Sequence, residues 1–295
     1  MKLAIDYYSN EHRNTNIEPS DGRIEKLISN SKQRIQQRLP SKTNIEHRTT
    51  KNETMQTQDF DKIIQKRRSV RIYDEAIPFD ESAVKRSIER AILSPNSSNM
   101  QLWEFYWVKT KSVHDALIHA CMGQAAIKTA NQAVVFVTRQ DKWKERSEWN
   151  LLNLKKQFEG KTLTKRDERA LDYYRKLMPL VYRFDPFGFN TLLRTIIVFF
   201  MGFSKPFLRI RNHGDQRVMT HKSCALAAQT FMLSMAAEGY DTCPMEGFDQ
   251  NIVKKILNLP AIAEITMIVA CGTAKPEGIY SARTRVPNEE VIFEV

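Results

Sequence analysis

Apolar positions along this chain change spacing several times, and each spacing points to a different element. Residues 1–58 hold no sustained pattern: Asn, Thr, Gln and charged residues run throughout, with one amphipathic patch at GRIEKLISNSKQRIQQRL. Such a stretch predicts a polar arm carrying one helix rather than a domain. From Phe60 the pattern tightens, and Phe60, Ile63 and Ile64 mark a short helix. FDESAVKRSIERAIL then sets Ala83, Val84, Ile88, Ala91 and Ile92 on one helical face behind an Asp80 N-cap. LWEFYWVK alternates and is rich in aromatics, as a strand is, and a helix follows around SVHDALIHACMG. QAVVFVTR is apolar at successive positions, the pattern of a strand covered on both faces. Late in the chain, SCALAAQTFMLSMAAEGY reads as an apolar helix entered near Val218 and stopped by Gly239. Its small residues suit close packing in a core or at a subunit interface. DQNIVKKIL is a helix capped by Asp249, and EITMIVACG is a further buried strand.

This order mixes helices and strands without a βαβ rhythm or an internal repeat, which predicts an α+β class with a mixed or antiparallel sheet flanked by helices. Between Arg139 and Val218 the sequence reads as mainly helical, through KWKERSEWNLLNLKKQFEG and TKRDERALDYYRKLM to an apolar stretch ending near Phe203. The organisation expected is therefore a polar arm over 1–58 and a compact domain over 59–295, with a helical insertion at 141–217.

Charge sharpens that division. The chain has 45 Lys and Arg against 34 Asp and Glu, a net +11. From Asp141 to Val218 there are 17 basic and 9 acidic residues, so the insertion carries most of the excess. The basic residues alternate with acidic ones and form no reading module, which argues against nucleic acid. The longest apolar run, TIIVFFMGF, is about half of what a spanning helix needs. MKLAIDYYSNEHRN lacks the apolar core of a signal peptide, and Cys121, Cys224, Cys243 and Cys271 have no metal spacing. These features lead us to expect buried, reduced thiols, no metal and a cytoplasmic protein.

The chemistry concentrates in RRSVRIYDE. In an extended segment Arg67, Ser69 and Arg71 share one side, and guanidiniums beside a hydroxyl suit a phosphate. A basic helix end solvated by water has the same local pattern. Three further segments bear on the choice: SPNSSNMQLWEF, CPMEGFD and RTR. Taken together and in this order, the four resemble the nitroreductase family of flavin enzymes, over roughly Phe60–Arg139 and Val218 to the C-terminus.

That resemblance implies a nitroreductase-like fold, a homodimer, and FMN held at the subunit interface. It assigns Arg67, Arg68, Ser69 and Arg71 to the flavin phosphate and ribityl chain, with Arg283 and Arg285 closing on the phosphate. Pro95, Asn96 and Ser97 are expected to reach the flavin from the other subunit, and Asn99 to meet the isoalloxazine edge. Pro244, Met245, Glu246 and Gly247 are expected to back the ring, with a backbone N–H near N5 and no catalytic side chain. The reaction implied is ping-pong hydride transfer from NADH or NADPH to a small electron acceptor such as a nitroaromatic, quinone or enone. A reductive dehalogenase or flavin-consuming reaction of the same superfamily is the alternative. Leu102 and Asn96 depart from the family's usual proline and serine, and Glu104 lies just beyond.

Other residues read more plainly. Trp103, Tyr106 and Trp107 suit strand packing, His114, His119, His213 and His221 suit surface or capping roles, and Cys243 suits packing beside the ring-backing segment. In the insertion, Phe187, Phe189, Phe199, Phe200 and Phe203 are candidate lid residues over the substrate. The stretch TIIVFFMGFSKPFLRIR also has the composition of an interfacial membrane segment, which leaves membrane or partner binding as the reading from a different class.

Overall fold

The computed structural model describes residues 55–183, 191–192, 195–196, 199–200 and 212–295. Apart from its last four residues, the expected polar arm lies outside these, as do most of the residues of the candidate membrane segment. The chain divides into two units, Met1–Ile64 and Gln65–Val295. In the first, helix α1 (Met55–Lys66) begins, and Lys62 pairs with Asp59 at 3.0 Å.

The second unit is built on a four-stranded sheet. Its elements are α2 (Glu81–Ala91), β1 (Trp103–Val108), α3 (Lys111–Ala120), α4 (Ala125–Lys128), β2 (Gln132–Thr138), α5 (Trp143–Gln157), α6 (Lys165–Asp172), α7 (Met178–Tyr182), α8 (His213–Ala237), β3 (Asp241–Met245), α9 (Gln250–Ile256) and β4 (Glu264–Gly272). The strand order is β1-β2-β4-β3, and every pairing is antiparallel. This is the α+β arrangement the sequence predicts.

Both faces of the sheet are covered, which explains why β2 is apolar at every second position on each side. Ala133, Val135 and Val137 pack with Leu117, Ile127 and Val253 of α3, α4 and α9. Val134 and Phe136 face the other way, into Val84, Ala227, Phe231 and Met235 of α2 and α8. Seven consecutive residues of β2 are buried as a result.

Helix α2 starts where Asp80 accepts a hydrogen bond from Ser82 N at 2.9 Å, as its sequence predicts. Helix α8 begins five residues earlier than the apolar pattern indicates. Asn212 and Asp215 form a reciprocal capping box there, so the polar first turn is helical although it buries little. Gly239 follows the helix with φ 95°, a conformation open to glycine.

One strand is not signalled by apolar patterning. β3 contains Pro244, which cannot donate to a ladder, and the sheet accommodates it by placing β3 at the edge, where β4 is its one strand partner among the described residues.

Helices α2 and α8 run antiparallel and are joined by polar contacts. Arg86 and Arg90 both bind Glu238, at 2.7 and 2.5 Å, and these bonds hold the Glu238 carboxyl down at about 2. Further along, Ser87 meets Ser234 at 2.8 Å and Ser94 meets Thr230 at 2.7 Å. The helix pair thereby fixes where the loop after α2 emerges.

Candidate active site

The RRSVR segment runs along the β3 edge and joins it through a single parallel bridge. Ser69 bridges Thr242, and Val70 N donates to the Thr242 carbonyl at 3.1 Å. Val70 is fully buried while Ser69 and Arg71 on either side of it are exposed, so the alternation faces the polar side chains outward.

The chain that leaves β4 returns along the same segment. Asp74 N donates to Thr273 O at 2.8 Å, Lys275 N to Ile72 O at 3.0 Å, and Arg71 N to Gly278 O at 2.7 Å. Gly278 is required for this approach: a Cβ there would stand 2.3 Å from the Ile72 carbonyl oxygen. The same antiparallel run continues beyond it. Arg68 Nη2 donates to Ser281 O at 2.6 Å, and Arg283 Nη2 to the carbonyls of Arg67 and Gln65 at 2.5 and 3.0 Å. Two arginine groups more than 200 residues apart in sequence are thus zipped into one cluster.

Electrostatics shows how close the cluster is. The Arg67 guanidinium is pushed below its ordinary value, first by burial and then by repulsion from Arg283, Arg285 and Arg68. No carboxylate forms an ion pair with Arg67, Arg68, Arg71 or Arg285 among the described residues, whereas Arg86, Arg90, Arg139, Arg175 and Arg217 each have one. Crowded cations without an anion are a costly arrangement that an anionic ligand would relieve. Beneath them lies Cys243, fully buried, whose thiol burial pushes up while Arg71 and Arg67 pull it down. Buried and protonated, it packs, as do Cys121, Cys224 and Cys271.

Pro244–Gly247 continue the same edge strand. Met245 is buried, Glu246 and Gly247 are exposed, and Gln124 Nε2 at the start of α4 donates to the Gly247 carbonyl. The arginine cluster and this segment therefore share β3.

The loop with Pro95, Asn96, Ser97 and Asn99 lies elsewhere. Ser97 N donates to Ser223 Oγ at 3.2 Å and Ser97 Oγ contacts the Met219 sulfur, well before the end of α8. From Ser223 to Glu238 the helix rises about 22 Å, so within one chain this loop and the arginines stand apart. Ser98, Asn99 and Gln101 all have φ near +50°, at 56°, 49° and 49°. Beside them Asn96, Ser97, Met100, Tyr182, Met219 and Ser223 line a small, partly open cleft.

Several side chains have structural partners. Glu104 binds Arg139, Lys142 at 3.2 Å and Tyr106 at 2.8 Å; burial disfavours its charge, but these bonds outweigh burial and hold it below the usual range. Trp107 Nε1 donates to Gln132. His221 joins Thr266 at 3.0 Å and Glu264 at 3.1 Å, and burial pushes His114 down. Phe199 and Phe200 are exposed and pack edge to face at 5.5 Å; Phe187, Phe189 and Phe203 lie outside the described residues. No group of His, Cys, Asp and Glu among the described residues could hold a metal, and no described helix is long and apolar enough to cross a membrane.

Sequence reasoning misses two features. One is the β4-to-C-terminus return that assembles the arginines. The other is the set of insertion residues, Asn150, Tyr173 and Tyr174, that hydrogen-bond to Ser98 and Asn99. Only the adjacent tyrosines in LDYYRKLM are visible in the sequence, and nothing local says what they meet.

Comparison with known proteins bears on the whole arrangement. The model of the Nitroreductase family matches residues 64–273. A protein named NADH dehydrogenase from Thermus thermophilus is 26% identical over 228 residues, covering 77% of this chain and 92% of its own. The ydfN structure from Bacillus subtilis superposes with a TM-score of 0.63 at 22% identity, over 81% of this chain and 100% of that one. A structure from Exiguobacterium sibiricum, solved in complex with FMN, has a TM-score of 0.55 at 20% identity, over 80% and 97% of the two chains.

Proposed function

The chain belongs to the nitroreductase family, and from that premise we propose that it is an FMN-dependent NAD(P)H oxidoreductase acting on small electron-poor acceptors. The observation that carries the reading is the cluster of Arg67, Arg68, Arg71 and Arg285, which has no carboxylate partners among the described residues. Its donor set fits the FMN phosphate, a group with a charge of roughly −2.

In this reading Arg67, Arg71 and Arg285 hold the phosphate, with the Ser69 hydroxyl beside it. Arg68 and Arg283 donate to backbone carbonyls and hold the two strands of the clamp together. Pro244, Met245, Glu246 and Gly247 would back the ring and exclude water from that face, offering it backbone rather than side-chain groups. When bound, FMN supplies the atom, N5, that takes hydride from NADH or NADPH and delivers it to a nitroaromatic, quinone or enone. The proton that each reduced acceptor takes up comes from solvent in this reading, and no side chain of this segment is asked to supply it.

Pro95, Asn96, Ser97 and Asn99 complete the site from a second copy of the chain. Two observations support the homodimer: the separation of this loop from the arginines along α8, and exposed apolar side chains on the α2 and α8 side, namely Ile92, Leu93, Val218 and Leu226.

The test is the visible spectrum of the purified protein, with FMN added if it emerges colourless, before and after anaerobic NADH or NADPH. Flavin bands that bleach with either donor and return with a nitroaromatic or quinone are expected. A protein that takes up no FMN would end the proposal.

A further inference from the structure

Three residues of the Ser98–Gln101 turn occupy the left-handed region, which is unfavourable for a side chain other than glycine. Such a turn persists when its surroundings over-determine it, and the surroundings here come from the insertion. Tyr173 Oη and Ser98 Oγ are 2.5 Å apart, and Tyr174 Oη donates to the Ser98 carbonyl at 2.9 Å. Both tyrosines open a π-helical turn, Tyr173–Leu177, a form frequent at functional sites. From α5, buried Asn150 reaches the next residue. Its Nδ2 donates to the carbonyls of Asn99 and Arg146, each at 2.9 Å, and its Oδ1 accepts from Asn99 Nδ2 at 2.9 Å.

That last set fixes an orientation. Two backbone carbonyls can only accept, so they claim the Asn150 amide nitrogen and turn its oxygen toward Asn99. Asn99 must answer with its own nitrogen, which leaves its carbonyl oxygen facing away from Asn150. There it receives only a long contact, 3.4 Å, from Gln101 Nε2, and Asn99 is exposed. Asn99 therefore offers an acceptor to an approaching ring and selects an N–H.

We propose that Asn150, Tyr173 and Tyr174 are positioning residues supplied by the insertion: they lock the Ser98–Asn99 turn and hold the Asn99 amide with its oxygen outward, as the acceptor for a ring N–H of the flavin. This rests on the proposal that the loop meets FMN. It gives the insertion a role in cofactor geometry, separate from any covering of the substrate.

Three variants test it: Tyr173→Phe/Tyr174→Phe, Asn150→Leu and Asn150→Asp. In each, the Kd for FMN is read by fluorescence quenching beside the melting temperature of the flavin-free protein. The tyrosine double variant and Asn150→Leu are expected to weaken FMN about ten-fold, the effect of one lost hydrogen bond in a preorganised site. Asn150→Asp carries the sharper signature. As a carboxylate it faces two carbonyls and releases the turn; as pH falls it protonates, donates again, and its FMN Kd returns toward wild type, whereas Asn150→Leu shows no recovery. A merely structural role would lower melting temperatures and leave Kd within two-fold of wild type in every variant, and that result overturns the inference while FMN dependence stands. A wild type that takes up no FMN removes both. If Asn150→Leu does not fold, the two conservative variants decide the matter.

Discussion

Replacing Arg67 by alanine is expected to give a folded protein whose Kd for FMN is at least about 100-fold weaker than wild type. A guanidinium can place two charge-assisted hydrogen bonds on a phosphate, each contributing about 1.5–3 kcal/mol, and about 2.7 kcal/mol corresponds to that factor. Folding should not suffer. The segment is held by backbone bonds from Val70 to Thr242 and from Arg71 to Gly278, and the Arg67 carbonyl that accepts from Arg283 survives the substitution. Arg67 has no ion-pair partner to lose among the described residues, and its charge is opposed by Arg283, Arg285 and Arg68. The flavin-free variant is accordingly expected to melt at or slightly above the wild-type temperature. Arg285→Ala should behave alike. Arg139→Ala makes the contrast, since Arg139 is paired with Glu104 and Asp141 and its loss takes the guanidinium from both, leaving Glu104 with Lys142 and Tyr106; it should destabilise the fold and leave FMN affinity unchanged. Full FMN occupancy in both Arg67→Ala and Arg285→Ala would show that the cluster binds something else.

Phe136→Ala is expected to have the largest effect on stability, a loss of about 3–5 kcal/mol. Phe136 is fully buried in the central strand, 4.9 Å from the Phe105 ring in β1 and 5.5 Å, edge to face, from Phe231 in α8. Truncation removes the ring that joins a strand on one side to the long helix on the other. The surrounding side chains belong to a sheet covered on both faces, so they cannot collapse far into the space. Domains of this size are stable by about 5–15 kcal/mol, so the loss is a large fraction of the total, and the melting temperature should fall by roughly 10 °C or more. Denaturant midpoints measure it, with Leu152→Ala, at an exposed position of α5, as the neutral comparison. A loss below about 1 kcal/mol for Phe136→Ala would mean that the core lies elsewhere.

Much of this fold is legible in the sequence where local chemistry and tertiary placement agree. Asp80 and Asp249 cap helices because a carboxylate beside free N–H groups stabilises a first turn wherever it occurs. QAVVFVT and EITMIVACG are apolar because both faces of a central strand are covered. The strand DTCPM is hidden because Pro244 contradicts the usual pattern, and only its place at the sheet edge resolves the conflict. The arginine motif is legible through residue type and order. Its assembly is not, because the return of Thr273–Arg285 along Gln65–Asp74 is a matter of register between distant segments, with Gly278 so close to the Ile72 carbonyl that a side chain there has no room. The grip of Tyr173, Tyr174 and Asn150 on Ser98–Asn99 is hidden for the same reason: each pair is separated by 51 to 76 residues, and hydroxyl and amide groups give no periodic signal.

The central claim is that the arginines on the β3 edge bind the phosphate of FMN, and the most direct measurement is the ratio of Kd values for riboflavin and FMN with the wild-type protein. The two ligands share the ring and ribityl chain and differ only in the phosphate. FMN is predicted to bind at least about 100-fold more tightly, with the difference shrinking as salt screens the cluster. Equal affinities for the two, at any salt concentration, would contradict the account.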